Sequence, residues 1–229
     1  DRVAVPAAGD IPKHQRFYYL ELLRRARLIQ RMPDNTAARF GRIDELRQKG
    51  AAQWERRGMP GGSWIGVSPG AAFGSAKRWP AERFAAAAAD LAAEIGAGIA
   101  VFGSAAEAAL AEEVARRAGT PSVCLAGQTS LAEYLQLAST CRLYLTNDSG
   151  SMHVAAALGV PTVAVFGATD EDATGPAAPW ARIVRRYVEC APCMLRECPI
   201  AGHPCMDGVE TGMVVKESRA LLASLGRPP

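Results

Sequence analysis

From residue 64 onward, short β-forming runs alternate with stretches of helical periodicity, and this alternation limits the possible folds more than any other feature of the chain. The β candidates are residues 64–68, 98–102, 122–125, 142–146, 162–166 and 183–188. Helical patterns lie between them at 81–95, 105–118, 130–139 and 151–158, and a last helix is expected over 209–225. Runs such as Thr162-Val163-Ala164-Val165-Phe166 are apolar throughout rather than alternating, which suits strands covered on both faces. The expected fold is α/β: a Rossmann-like, doubly wound parallel sheet with helices on both faces.

Residues 1–62 have a different character. Two amphipathic helical patterns, 13–31 and 41–57, flank a break at Pro33-Asp34-Asn35, and Met59-Pro60-Gly61-Gly62-Ser63 reads as a linker. Neither helix carries enough apolar surface to form a core alone, so both are expected to lean on another element. The expected division is therefore a helical stub over 1–62 and the sheet domain over 63–229. The length of 229 residues exceeds the usual ~100–150 of one domain and is small for two. The chain opens Asp1-Arg2-Val3, without an initiator Met or a signal peptide, and reads as a fragment or a processed chain.

Composition excludes several classes. At 49% hydrophobic and 21% charged, the chain is neither disordered, collagen-like nor a coiled coil. No apolar run approaches the ~20 residues of a membrane helix. The net charge is +3, with Lys and Arg dispersed, which offers no argument for nucleic acid.

Cysteines are unevenly placed. Cys124 and Cys141 lie in apolar runs and read as small buried hydrophobes, whereas Cys190, Cys193, Cys198 and Cys205 crowd one segment together with His203. Four thiolates, or three with His203, would suit a tetrahedral zinc or iron site, and a reduced or partly disulfide-bonded structural loop is the alternative.

In an open parallel sheet ligands bind beyond the C-terminal strand ends, so four loops matter. The loop from Ser68 to Pro80 has Gly70, Gly74 and Lys77, and reads either as a phosphate loop or as a solvated Lys77-Arg78 pair. Phe102-Gly103-Ser104 offers Ser104 as a helix cap or a ligand contact. In Ala126-Gly127-Gln128-Thr129-Ser130, Ser130 forms a capping box with Glu133, and Thr129 is a candidate to line the pocket. The fourth, Asn147-Asp148-Ser149-Gly150-Ser151-Met152-His153, starts a helix whose free N–H groups suit an anion, with Ser149 as donor, Gly150 allowing close approach and His153 one turn in. Its alternative is an Asp-Ser helix cap beside a half-exposed His.

These residues also carry a resemblance. The run from Asn147 to Pro161 followed by Val165-Phe166-Gly167, Pro69-Gly70-Ala71 with Ala76-Lys77-Arg78-Trp79-Pro80, and Phe102-Gly103-Ser104 resemble the C-terminal half of the ADP-heptose:lipopolysaccharide heptosyltransferases, family 9 of the glycosyltransferases. The cysteine segment is similar to one in many type II heptosyltransferases, and Lys13-His14-Gln15 leading to Tyr18-Tyr19-Leu20 resembles the run before the interdomain crossover.

The resemblance implies the C-terminal, donor-binding half of a two-domain GT-B enzyme. It transfers heptose from ADP-heptose to the lipopolysaccharide inner core with inversion and without a required metal. It further implies that Lys77 contacts the diphosphate and stabilises the leaving group. Asp148, Ser149 and Gly150 would hold phosphate and sugar beside His153, while Ser104 and Thr129 line the nucleotide side. The general base would belong to the absent N-terminal half, so no catalytic base is assigned in this chain, which is expected to be inactive alone. The implied setting is cytoplasmic, at the inner face of the inner membrane, with peripheral membrane contact through the acceptor. A nucleotide-sugar epimerase of the same two-domain type and a non-catalytic nucleotide- or metal-binding module are the competing readings.

Overall fold

The computed structural model describes residues 4–7, 9–34, 37–59, 62–119 and 121–226. Asp1-Arg2-Val3, Asn35 of the expected break, and Pro60 and Gly61 of the expected linker lie outside them. Among the described residues six strands form one all-parallel sheet in the order β3-β2-β1-β4-β5-β6. The strands are β1 Ser63–Ser68, β2 Ala97–Val101, β3 Ser122–Cys124, β4 Leu143–Asn147, β5 Thr162–Phe166 and β6 Ala181–Arg185.

The continuous apolar runs have the cause their pattern suggested. Ile65, Val67, Ile99, Val101, Leu143, Leu145, Val163 and Val165 point to one face, beneath α3 (Ala81–Ile95), α4 (Ala108–Ala118) and α9 (Thr211–Ser224). The intervening Trp64, Ala100, Phe102 and Tyr144 point to the other, beneath α2 (Ile43–Arg56), α5 (Leu131–Ser139) and α6 (Gly150–Ala157). Both faces are dry, so neither set is polar.

Of the two N-terminal helices, α2 is fully part of the second layer. Trp54 stacks on Trp64 at 4.3 Å between ring centroids, and its indole N–H donates to Thr140 Oγ1 at 2.9 Å. Gly50 lets α2 approach α5 closely, because a Cβ there would lie 2.2 Å from the Gln136 carbonyl oxygen. By contrast α1 (Gln15–Arg25) buries only Glu21, whose carboxyl is held down to about 2 by hydrogen bonds from Arg24 and Arg25. That helix is tied to the sheet domain mainly from the residues before it. Lys13 pairs with Asp170 at 2.6 Å, and His14 Nε2 bonds the Gly175 carbonyl at 2.8 Å, at the two ends of the short α7 (Glu171–Thr174).

Most boundaries lie within two residues of the sequence expectation, and three features differ by more. The first helix, expected over 13–31, ends at Arg25 because Arg27 takes a left-handed conformation (φ 59°). The last strand, expected over 183–188, is Ala181–Arg185, because its partner β5 ends at Phe166, opposite Arg185. The chain then leaves the sheet and returns through an unexpected short helix, α8 (Pro204–Asp207), before α9. No helix among the described residues is long and apolar enough to cross a membrane.

Candidate functional site

The strand order puts β1 and β4 side by side, with β1 leading on to β2 on one flank and β4 to β5 on the other. This is the topological switch point, where the connections diverge and leave a crevice beyond the strand ends. A cleft of about 460 Å³ opens there, lined by the loop after β1, the start of α6, Glu107, Thr169 and Met194.

Lys77 lies in a short 3₁₀ turn, Ser75–Lys77, between β1 and α3. Its ammonium stands 2.5 Å from Asp148 Oδ2 and 4.7 Å from the centre of the Phe73 ring. The same carboxylate oxygen accepts from the Thr169 hydroxyl at 2.5 Å. With the Lys77 side chain 13% exposed and that of Asp148 6%, this is a buried pair with one open side, toward the cleft. Asp148 so placed fixes where the Lys77 ammonium sits.

Asn147 explains how the Lys77 loop holds its shape. Fully buried at the end of β4, it donates to the Pro69 carbonyl at 2.7 Å and accepts from the Trp79 backbone N–H at 3.0 Å. One side chain thus fastens both ends of the loop. Gly70 sits where a Cβ would come within 1.8 Å of Glu107 Oε1, so any other residue there would push that carboxylate aside.

Across the cleft α6 begins at Gly150 after Ser149. Amides in the first turn of a helix have no intrahelical acceptor, and the helix dipole adds positive potential there. A Cβ on Gly150 would meet no protein atom within 4 Å, so no side chain or loop packs on the helix start at that point. The Ser149 hydroxyl contacts Thr146 Oγ1 at 3.3 Å. His153, in the same helix, also lines the cleft. Burial holds its imidazole below the usual histidine range, Asp148 opposes that shift, and His14 and Lys77 reinforce it. The net direction favours the neutral imidazole.

The structure brings Lys77, Asp148, Ser149, Gly150 and His153 to one cleft. Ser104 and Thr129 are not among the residues lining it. Ser104 is occupied as a helix cap: its N–H and hydroxyl both donate to Glu107 Oε2, at 2.9 and 2.8 Å. Glu107 is the member of that pair that reaches the cleft. The sequence reading assigns no role to Glu107 or Thr169, and names Asn147 only as part of the fourth loop. The Ser104-x-x-Glu107 capping spacing was a usable signal for the first, and the other two had none. The four clustered cysteines are free thiols and stand outside the cleft, and among the described residues no group of three or more ligating side chains is arranged to hold a metal ion.

A profile of glycosyltransferase family 9 (heptosyltransferase) matches residues 18–203. Lipooligosaccharide heptosyltransferase 2 of Campylobacter jejuni is 36% identical over 166 residues, 69% of this chain and 50% of that protein. Lipopolysaccharide heptosyltransferase 2 of Escherichia coli K12 is 36% identical over 162 residues, 69% of this chain and 46% of the other. The structure of the E. coli ADP-heptose lipopolysaccharide heptosyltransferase II superposes with a TM-score of 0.67 at 29% identity, covering 86% of this chain and 57% of its own. The chain thus spans about half the length of the relatives it matches.

Proposed function

The chain belongs to glycosyltransferase family 9, the heptosyltransferases, and from that premise we propose that residues 63–229 form the donor half of an enzyme transferring heptose from ADP-heptose to the lipopolysaccharide inner core. The residues up to the end of α1 then close the preceding, acceptor-binding half, while α2 packs against this one. Tyr19 and Leu23 of α1 and Leu28 just beyond it, all exposed, fit a surface made to meet it. The enzyme works in the cytoplasm, against the inner face of the inner membrane where its acceptor lies.

The observation that carries this reading is that the Lys77–Asp148 pair and the first turn of α6 line one switch-point crevice. The diphosphate lies between them, with Lys77 and the amides of Ser149 and Gly150 donating to its oxygens. As the bond between the sugar and the diphosphate breaks, charge builds on the ADP oxygens, and preorganised donors of this kind contribute about 2.7–4 kcal/mol each to the transition state. Asp148 does not touch phosphate; it positions Lys77 and offers its free oxygen toward the sugar. Glu107, with Oε2 occupied by Ser104 and Oε1 beside Gly70, accepts from the ribose hydroxyls. Ser104 acts through Glu107, and Thr129 borders the base from farther out. No step needs a metal ion. The general base that takes the acceptor proton is a carboxylate of the preceding half.

In assay, the longer protein carrying these residues releases ADP from ADP-heptose when given an inner-core acceptor, and the 229-residue chain alone does not. Transfer by the chain alone, or a preference for UDP over ADP in titration, would contradict the proposal.

Two further outcomes follow from the geometry. Gly150→Ala places a methyl in space that no protein atom occupies. Thermal stability should be unchanged or slightly raised, while ADP affinity should fall about tenfold, readable by calorimetry. For His153 the sign is set by its depressed pKa. A bound diphosphate favours the imidazolium, so the bound-state pKa lies above the free one. Between those two values ADP binding takes up a proton, and affinity rises as pH falls, by up to about tenfold per pH unit. Above both values that contribution vanishes, and His153→Gln should remove it throughout.

A further inference from the structure

The short helix α7 does not hold itself in place. None of its four residues, Glu171–Thr174, is buried, and a single helical turn bears the cost of nucleation without further bonds to offset it. Within the sheet domain it has its own cap, the Asp170 carboxylate accepting from the Asp172 N–H at 3.1 Å, and an ion pair from Glu171 to Arg185 of β6. Two more anchors come from the segment before α1. Lys13 Nζ lies 2.6 Å from Asp170 Oδ2 and 3.7 Å from Asp172 Oδ2, at the start of α7. At its end His14 Nε2 meets the Gly175 carbonyl at 2.8 Å. Nδ1 of the same ring accepts from the Arg16 N–H at 3.1 Å, which caps α1 and leaves the ring proton on Nε2, where the Gly175 carbonyl accepts it.

Both ends of α7 belong to the donor cleft. Thr169 directly precedes the Asp170 cap, is 3% exposed, and donates its hydroxyl to the same Asp148 oxygen that holds Lys77. Thr174, the last residue of α7, lines the cleft as Thr169 does. A shift of α7 therefore moves Thr169, and with it the oxygen against which the Lys77 ammonium rests. We propose that Lys13 and His14 are positioning residues of the donor cleft: clamping α7 at both ends, they hold Thr169 where it orients the Asp148–Lys77 pair toward the diphosphate. The clamp rests on the donor reading given above.

Lys13 and His14 directly precede α1, the helix that the proposed function assigns to the preceding half. Movement of that half therefore bears on the Lys77 charge through this contact, although neither residue lines the cleft itself. The Lys13 side chain is largely exposed, and exposed ion pairs contribute little to stability. The clamp accordingly shows in where Thr169 sits rather than in how stable the fold is.

The test is a double-mutant cycle on ADP affinity, measured by calorimetry on the 229-residue chain. Lys13→Met/His14→Ala should weaken ADP binding about three- to tenfold while lowering the melting midpoint by no more than about 4 °C. In a Thr169→Val background, where the link to Asp148 is already cut, the same two substitutions should change affinity less than about twofold. Unchanged affinity with Thr169 present, or an equal loss in both backgrounds, overturns the positioning role. If Thr169→Val does not fold, hydrogen exchange replaces the cycle. The Thr174 and Gly175 amides, bonded to the Asp170 and Glu171 carbonyls, should then exchange at least about threefold faster in the ligand-free Lys13→Met/His14→Ala variant. An unchanged rate overturns the clamp. A parent chain without ADP affinity counts against the donor reading, and the exchange rates alone then decide whether Lys13 and His14 hold α7.

Discussion

Lys77→Met should lower ADP affinity by about 10–100-fold and, in the longer protein, lower turnover by about 10²–10³. It should also destabilise the chain, and the reason separates binding from folding. Removing the ammonium leaves Asp148 buried with only the Thr169 hydroxyl as partner, and breaking one side of such a pair typically costs about 3–5 kcal/mol. Adding Asp148→Asn to Lys77→Met removes the stranded charge. The double variant should recover most of the stability in urea denaturation and none of the ADP affinity. Recovery of both would mean that Lys77 acts only by keeping the loop folded.

The second large effect is expected at Asn147. Alanine there strands the Pro69 carbonyl and the Trp79 N–H in the interior, at about 1–3 kcal/mol for each unpaired group. A loss of about 2–6 kcal/mol is a large part of the stability of a domain this size. Because Asn147 fastens both ends of the Lys77 loop without reaching the cleft, ADP affinity should fall as well, although no ligand contact has been removed. Unfolding midpoints with calorimetric titration of the same sample would check both. Stability lost with affinity intact would show that the loop holds its shape without this staple.

The parallel sheet was legible because both sides of every central strand are apolar. In β1, Trp64 faces α2 and α5 while Ile65 faces α3, so no polar residue interrupts the run. The strand-end loops carrying Lys77 and Gly150 were legible from glycines and a helix start, whereas the strand order that makes them neighbours at the switch point came only from the structure. Side-chain relations across sequence distance were not legible either. Nothing local marks Thr169 as the partner of an aspartate 21 residues earlier, or Asn147 as the clasp of a loop some 70 residues earlier. Ser104 alone does not reveal its role, because Glu107, three residues on, accepts both of its hydrogen bonds and reaches the cleft in its place. The first helix was overdrawn because periodicity does not report where a residue such as Arg27 turns left-handed.

That a nucleoside diphosphate sits at the start of α6, opposite Lys77, is tested most directly by titrating ADP into ¹⁵N-labelled chain and following the backbone amides. The amides of Ser149, Gly150 and Ser151 should move most and saturate together at one dissociation constant, with Lys77→Met suppressing all three shifts. Shifts confined to another surface, such as the groove lined by Pro6, Ile11 and Tyr19, or shifts at α6 that survive the Lys77 substitution unchanged, would contradict it.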